Sequence, residues 1–149
     1  MMQTTPSFEI RQGSWNDLGR MAGALRTAVF VREQGVPPEL EMDVLDPLCL
    51  HVLALRADGQ AVATGRLVTE APGIARIGRM AVHSALRGTG WGRQLLDTLV
   101  QAAQERGDSQ VQLHAQCSAQ SFYAAAGFAV RGAAYEEAGI AHITMVRGL

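Results

Sequence analysis

Ile77-Gly-Arg-Met-Ala-Val82 is an apolar run followed, four residues later, by Arg87-Gly-Thr-Gly-Trp-Gly92, which opens a segment of strong helical periodicity. Glycines at positions 88, 90 and 92 let the backbone approach a ligand closely and turn successive N–H groups toward one point. The helix beyond contributes its own unpaired donors and the positive end of its dipole, so a diphosphate is the natural guest. The stretch therefore reads as strand, anion-cradling turn and helix. It lacks the Gly-Lys-Ser/Thr ending of a nucleotide P-loop, and its glycines miss the Gly-x-Gly-x-x-Gly spacing of a dinucleotide turn.

Downstream, Trp91, Leu95, Leu96, Leu99, Val100 and Ala103 line one face of a helix that Gly107 terminates. Gln110 to Ala115 alternates Val111, Leu113 and Ala115 with polar residues, as a strand does. A short helix, Ser118 to Ala126, is stopped by Gly127, and two strands follow near Phe128 to Arg131 and Ile140 to Val146. Upstream, His51 to Ala57 and Gln60 to Thr69 read as antiparallel strands joined by the tight turn Asp58-Gly59, and Pro72-Gly73 leads into Ile74 to Val82 as a third. Nearer the N-terminus, Phe8 to Arg11 is a short strand closed by Gly13. Ser14 and Asp17 suit a capping box for a helix whose apolar face is Leu18, Met21, Ala22, Leu25 and Val29, ending near Gly35. Val36 to Leu50, with Pro37, Pro38, Pro47 and the acids Glu39, Glu41, Asp43 and Asp46, predicts an irregular loop or one short helix. Antiparallel strands first, then strand, helix, strand, helix and a closing hairpin predict an α/β fold with a mixed sheet.

A chain of 149 residues, 48% hydrophobic and 18% charged, holds one core and so one domain over residues 1–149. A net charge of -1 without a basic stripe argues against nucleic acid as a partner. No apolar run approaches the roughly 20 residues needed to span a bilayer, and Met1 to Ser7 lacks a basic region followed by an apolar one, so a cytoplasmic protein is expected, with no membrane partner. Cys49 and Cys117 form no CxxC pair and have no His partner at ligand spacing. They are expected to be reduced structural thiols, with no metal.

Arg87, Gly90 and Gly92 fill the pattern Arg/Gln-x-x-Gly-x-Gly/Ala, and about 35 residues on stands Phe122-Tyr-Ala-Ala-Ala-Gly-Phe128. With these two motifs in order, a strand and helix between them, the chain resembles the GNAT superfamily of acyl-coenzyme A N-acyltransferases over nearly its whole length. Val29-Phe-Val-Arg-Glu-Gln34, the acidic run through Asp46, and Glu137-Ala-Gly-Ile-Ala-His142 look like the ElaA-like branch. Many relatives carry an asparagine six residues before the Phe of the second motif; Gln116 stands there instead and keeps the side-chain amide.

The resemblance implies a mostly antiparallel sheet with flanking helices, in which the parallel strands Ile77 to Val82 and Gln110 to Ala115 splay apart around a pantetheine arm. Backbone groups of Met80, Ala81 and Val82 would hold that arm and one N–H would polarise the thioester carbonyl. The turn residues Arg87, Gly88, Thr89, Gly90, Trp91, Gly92 and Arg93 would hold the diphosphate of acetyl-CoA, the implied co-substrate. It further implies direct attack by an amine, so Cys117 is not needed as a nucleophile. Tyr123 matches a tyrosine that protonates the departing thiolate in many relatives, while helical spacing to Phe122 and Ala126 equally suits a packed core tyrosine. An alkylamine of pKa roughly 10.4 is neutral about once in 10³ molecules at pH 7, a handicap of roughly 4.6 kcal/mol that a base or water relay would lower. Glu33, Glu41, Asp43, Glu137 and His142 are the candidates. Glu41 and Asp43 also read as a solvated loop or as an attraction for a cationic acceptor, and His142 as structural; His51 and His114 are read as structural. A non-catalytic coenzyme A-binding sensor module and a longer acyl donor remain open alternatives. So do small-molecule and peptide amine acceptors, and a homodimer such as many relatives form.

Overall fold

The computed structural model describes residues 8–41 and 43–149; Met1 to Ser7, read above for a targeting signal, lies outside the described residues. Strand β1 (Phe8–Gly13) leads into helix α1 (Trp15–Arg26), whose first turn is capped by Ser14, its Oγ accepting from the Asp17 N–H at 3.3 Å. The rod continues as a π-helical turn, Thr27–Glu33, and stops at Gly35 (φ 72°). That wide turn carries Phe30 and Gln34 to the cavity described below. The proline-rich stretch holds a short helix α2 (Pro38–Glu41) and a 3-10 turn (Asp46–Leu48).

Strands β2 (Leu50–Arg56), β3 (Ala61–Ala71) and β4 (Ile74–Val82) form the expected antiparallel meander. Then come α3 (Trp91–Glu105), β5 (Gln110–Gln116), α4 (Gln120–Ala125), β6 (Ala129–Glu137) and β7 (Ile140–Gly148). The seven strands lie in the order β1-β2-β3-β4-β5-β7-β6, and β4–β5 is the parallel pair. Alternation along β2 serves both faces: Leu53 and Leu55 meet Leu18 and Ala22 of α1, while Val52 and Ala54 join Leu95, Leu96, Leu99 and Val100 of α3. This is the α/β arrangement that the element order and the family resemblance predicted.

Gly65 lets α3 lie close on the sheet. A Cβ there would stand 2.7 Å from Leu99 Cδ1 and 3.2 Å from Met80 Cγ. Gly65→Ala is therefore expected to cost about 1–3 kcal/mol by overpacking, measured by denaturant unfolding; an unchanged midpoint would mean the helix sits farther from β3.

The closing hairpin is longer than its sequence suggested. β6 does not end at Arg131 but runs to Glu137 and returns through the two-residue turn Ala138-Gly139, both with positive φ (53° and 77°). Two things conceal it. Ala138 stands where such turns usually carry Asn, Asp or Gly. A register shift between Arg131 and Tyr135, on an edge strand exposed along most of its length, also erases the alternation of apolar and polar residues.

Candidate active site

β4 and β5 pair from Ile74↔Gln110 to Ile77↔Leu113 and then part. Two features drive them apart. β4 kinks at Arg79, a non-glycine residue at φ 51°, where the β3–β4 register also shifts, and β5 swings to follow β7 as far as Gln116↔His142. Beyond Ile77 the outer edge of β4 has no partner on β5, and a cavity of about 450 Å³ opens there.

Met80 borders this cavity. Ala81 is buried in a cluster with Leu25 and Val29. The Val82 carbonyl accepts from Arg87 Nε at 3.1 Å, tying the end of β4 to the glycine turn. In that turn Gly88 and Gly90 have φ of 80° and 91°, and nothing lies within 4 Å of where a Cβ would stand on either. A side chain at either site would be strained and would intrude on open space in front of the helix. Gln94 N–H bonds back to the Gly90 carbonyl at 3.1 Å, so the Gly92 and Arg93 amides lie ahead of that bond at the N-terminus of α3. Trp91 is the first residue of the helix. Thr89 is engaged otherwise: its N–H (3.3 Å) and its hydroxyl both reach the Leu86 carbonyl. The Arg93 side chain pairs with Asp97 at 3.1 Å.

Arg87 also donates from Nη2 to Glu33 Oε2 at 2.6 Å. Glu33, a candidate base, thus anchors the turn to the π-helical segment and stands outside the cavity lining. Gln116 lines the cavity and donates to Gln34 Oε1 at 3.0 Å. Tyr123 lines it too; its ring meets Phe122 and Phe128 edge-on, and its hydroxyl lies 4.0 Å from Met80 Sδ. Desolvation pushes the Tyr123 phenol up to about 12, so it is fully protonated at neutral pH.

Glu137 and His142 meet at the same cavity, joined by His114, which sequence reading had set aside as structural. Glu137 Oε2 lies 3.6 Å from His142 Nε2, and Oε1 lies 3.8 Å from His114 Nδ1. His142 Nδ1 stands 2.7 Å from the Ile140 carbonyl, which can only accept. That assigns the proton to Nδ1 in the neutral ring and leaves the Nε2 lone pair facing the carboxylate. Tyr135 stacks on His142 and meets His114 edge-on, holding both rings. Burial lowers the His114 pKa, favouring its neutral form. The signal for His114 was present in β5: inward Val111, Leu113 and Ala115 leave Gln112, His114 and Gln116 on the opposite face.

Glu41 is buried and Asp43 part-buried, and both are held by arginines. Arg26 donates to Glu41 Oε1 at 2.5 Å and to both Asp46 oxygens at 2.8 and 3.1 Å, all three side chains being 1% exposed. Arg66 forks onto Asp43 at 2.7 Å twice and reaches Asp46 at 2.9 Å. Arg79 holds the Glu41 and Leu40 carbonyls and Asp43 Oδ2 at 3.1, 3.2 and 3.2 Å. The loop is bound to β3 and to the β4 kink by charge. Sequence reading missed all three arginines, although Arg66 interrupts an apolar strand and Arg26 lies four residues after Ala22 on the apolar helix face.

The Arg66 hydrogen bonds hold the Asp43 carboxyl at about 2, below its usual 3.8. A depressed carboxylate pKa contributes stability that is complete above the unfolded value and lost as pH falls through the folded one. Stability is therefore expected to decline as pH drops from about 3.8 toward about 2, and denaturation across that window should be shallower in Asp43→Asn. An identical acid limb in both proteins would refute the assignment.

Residues 28–149 match the family model described as an acetyltransferase (GNAT) domain. The chain belongs to the GNAT acetyltransferase family, whose chemistry is acyl transfer, and within it to the ElaA-like branch. It is 39% identical to protein ElaA of Escherichia coli over 127 residues, 83% of this chain and 82% of that one. The crystal structure of Escherichia coli ElaA superposes with a TM-score of 0.84 at 31% identity, covering 95% of this chain and 99% of that one. An acyl-CoA N-acyltransferase from Pseudomonas aeruginosa gives 0.85 at 37% identity, covering 95% and 99%. Among the described residues, no helix is long and apolar enough to cross a membrane.

Proposed function

We propose that this chain is an N-acetyltransferase that moves the acetyl group of acetyl-coenzyme A directly to an amine. The observation that carries the reading is the parting of β4 and β5 beyond Ile77 and Leu113, beside a cavity bordered by Tyr123, Glu137 and His142. The pantetheine arm lies along the vacant β4 edge, against the backbone of Met80, Ala81 and Val82. The diphosphate rests on the open turn, held by amides of Gly88, Gly90, Trp91, Gly92 and Arg93, with Arg87 fixing the turn and Thr89 contributing least because its N–H is already engaged. Gln116 borders the arm.

The amine nitrogen attacks the thioester carbon, a C–N bond forms and the C–S bond breaks. The proton lost by nitrogen passes to the Glu137–His142 pair, where the Nε2 lone pair and carboxylate face one another. Tyr123, protonated, hydrogen-bonds the departing sulfur. Thiol release from acetyl-CoA across a panel of amines tests the scheme; no release with any amine would overturn it, and propionyl- and hexanoyl-CoA arms would show whether a longer donor is preferred. Glu137→Gln is expected to lower kcat about 10-fold with acetyl-CoA KM unchanged, since a neutral amide cannot take the proton. Full kcat in that variant would remove Glu137 from the proton path.

A further inference from the structure

Within the cavity most charges are already spent. Glu41 is neutralised by Arg26, and the Arg79 guanidinium by Asp43 and two loop carbonyls. Two are not. Among the described residues Glu137 has no arginine or lysine partner, only the two imidazoles at 3.6 and 3.8 Å. Arg76 engages Glu70 through Nε alone, at 2.7 Å, and among the described residues neither terminal nitrogen meets an acceptor. The Arg76 side chain is 17% exposed and lines the cavity, and Nη1 lies 4.0 Å from the Cβ position of Gly78, the first β4 residue past the last β4–β5 pair. Arg76 and Glu137 also flank His114, on which their charges act in opposite directions. One cavity thus presents an open guanidinium fork and an uncompensated carboxylate.

From this we infer that the acceptor is a short zwitterion, an amine carrying a carboxylate a few bonds away, as in an amino acid. The two terminal nitrogens of Arg76 take the carboxylate side by side, the geometry in which guanidinium binds it best. Glu137 and His142 Nε2, two acceptors facing each other with no donor between them, take the ammonium and then its proton. Glu70 keeps the guanidinium turned so that its free edge stays open. This assignment rests on the N-acetyltransferase reading and narrows its acceptor class.

The test compares thiol release from acetyl-CoA with the common α-amino acids, β-alanine and γ-aminobutyrate, each beside its carboxamide and its decarboxylated amine. A charge-assisted bidentate contact predicts that the best acid exceeds its carboxamide in kcat/KM by about 10- to 100-fold. In Arg76→Ala that ratio is expected to fall to within about threefold, and Arg76→Lys to recover part of it, with acetyl-CoA KM unchanged in both. Carboxamides or plain amines that match the acids in the unmodified protein would overturn the zwitterion assignment and leave the acetyltransferase reading standing. No release with any acceptor would overturn both.

Discussion

Arg26→Ala is expected to cost about 3–5 kcal/mol, because it leaves Glu41 and Asp46 as buried carboxylates that have lost a cation. Both acids are 1% exposed at the side chain, so water cannot replace the guanidinium. Asp46 would retain Arg66 at 2.9 Å, whereas Glu41 would have no partner among the described residues: its Oε2 already has none there, and its Oε1 bonds only Arg26. For a chain of this length the loss corresponds to a melting temperature lower by roughly 10 °C. Arg26→Met, nearly isosteric, should be just as harmful alone and should be rescued when combined with Glu41→Gln and Asp46→Asn, since neutral amides do not demand a cation. Differential scanning calorimetry measures all four proteins. A loss below about 1 kcal/mol for Arg26→Ala would mean that the network is hydrated and contributes no more than a surface pair.

Tyr123→Phe should lower kcat about 10²-fold while leaving the fold intact, because only the hydroxyl is removed from a ring packed between Phe122 and Phe128. The size follows from how the phenol acts. Its pKa is raised to about 12, and an ordinary thiol sits near 8.5, so complete proton transfer to a thiolate would be uphill by roughly 5 kcal/mol. Tyr123 therefore stabilises the departing sulfur mainly by donating a hydrogen bond. Its elevated pKa also predicts that kcat has no descending limb attributable to this residue below about pH 10. A pH–rate profile of the unmodified protein, and single-turnover rates for the Phe variant, check both statements. Retention of full kcat in Tyr123→Phe would make the tyrosine a packing residue only.

Local physics carried most of the architecture. The α3 stripe, the glycine that ends it, the Asp58-Gly59 and Pro72-Gly73 turns and the alternation in β5 are short-range patterns, and each became the element it suggested. The closing hairpin was obscured for an equally local reason: a register shift and an alanine in the turn removed its signals. The acidic stretch failed differently. Its carboxylates look like a solvated loop because their partners, Arg66 and Arg79, lie 20 to 36 residues away along the chain, and no periodicity connects residues that meet only across a sheet.

Composition and short motifs, acting alone, determined a mixed sheet with a glycine turn opening onto α3, and family kinship with the GNAT acyltransferases. They could do so because turns, caps and amphipathic faces depend on neighbours within a few residues. Tertiary structure decided which charges are spent and which remain open: Glu33 tied to Arg87, Asp43 bound by Arg66, and Glu137 facing two imidazoles beside the open fork of Arg76. The electrostatics of a side chain are set by whatever the fold packs against it, and here those partners arrive from strands distant in sequence.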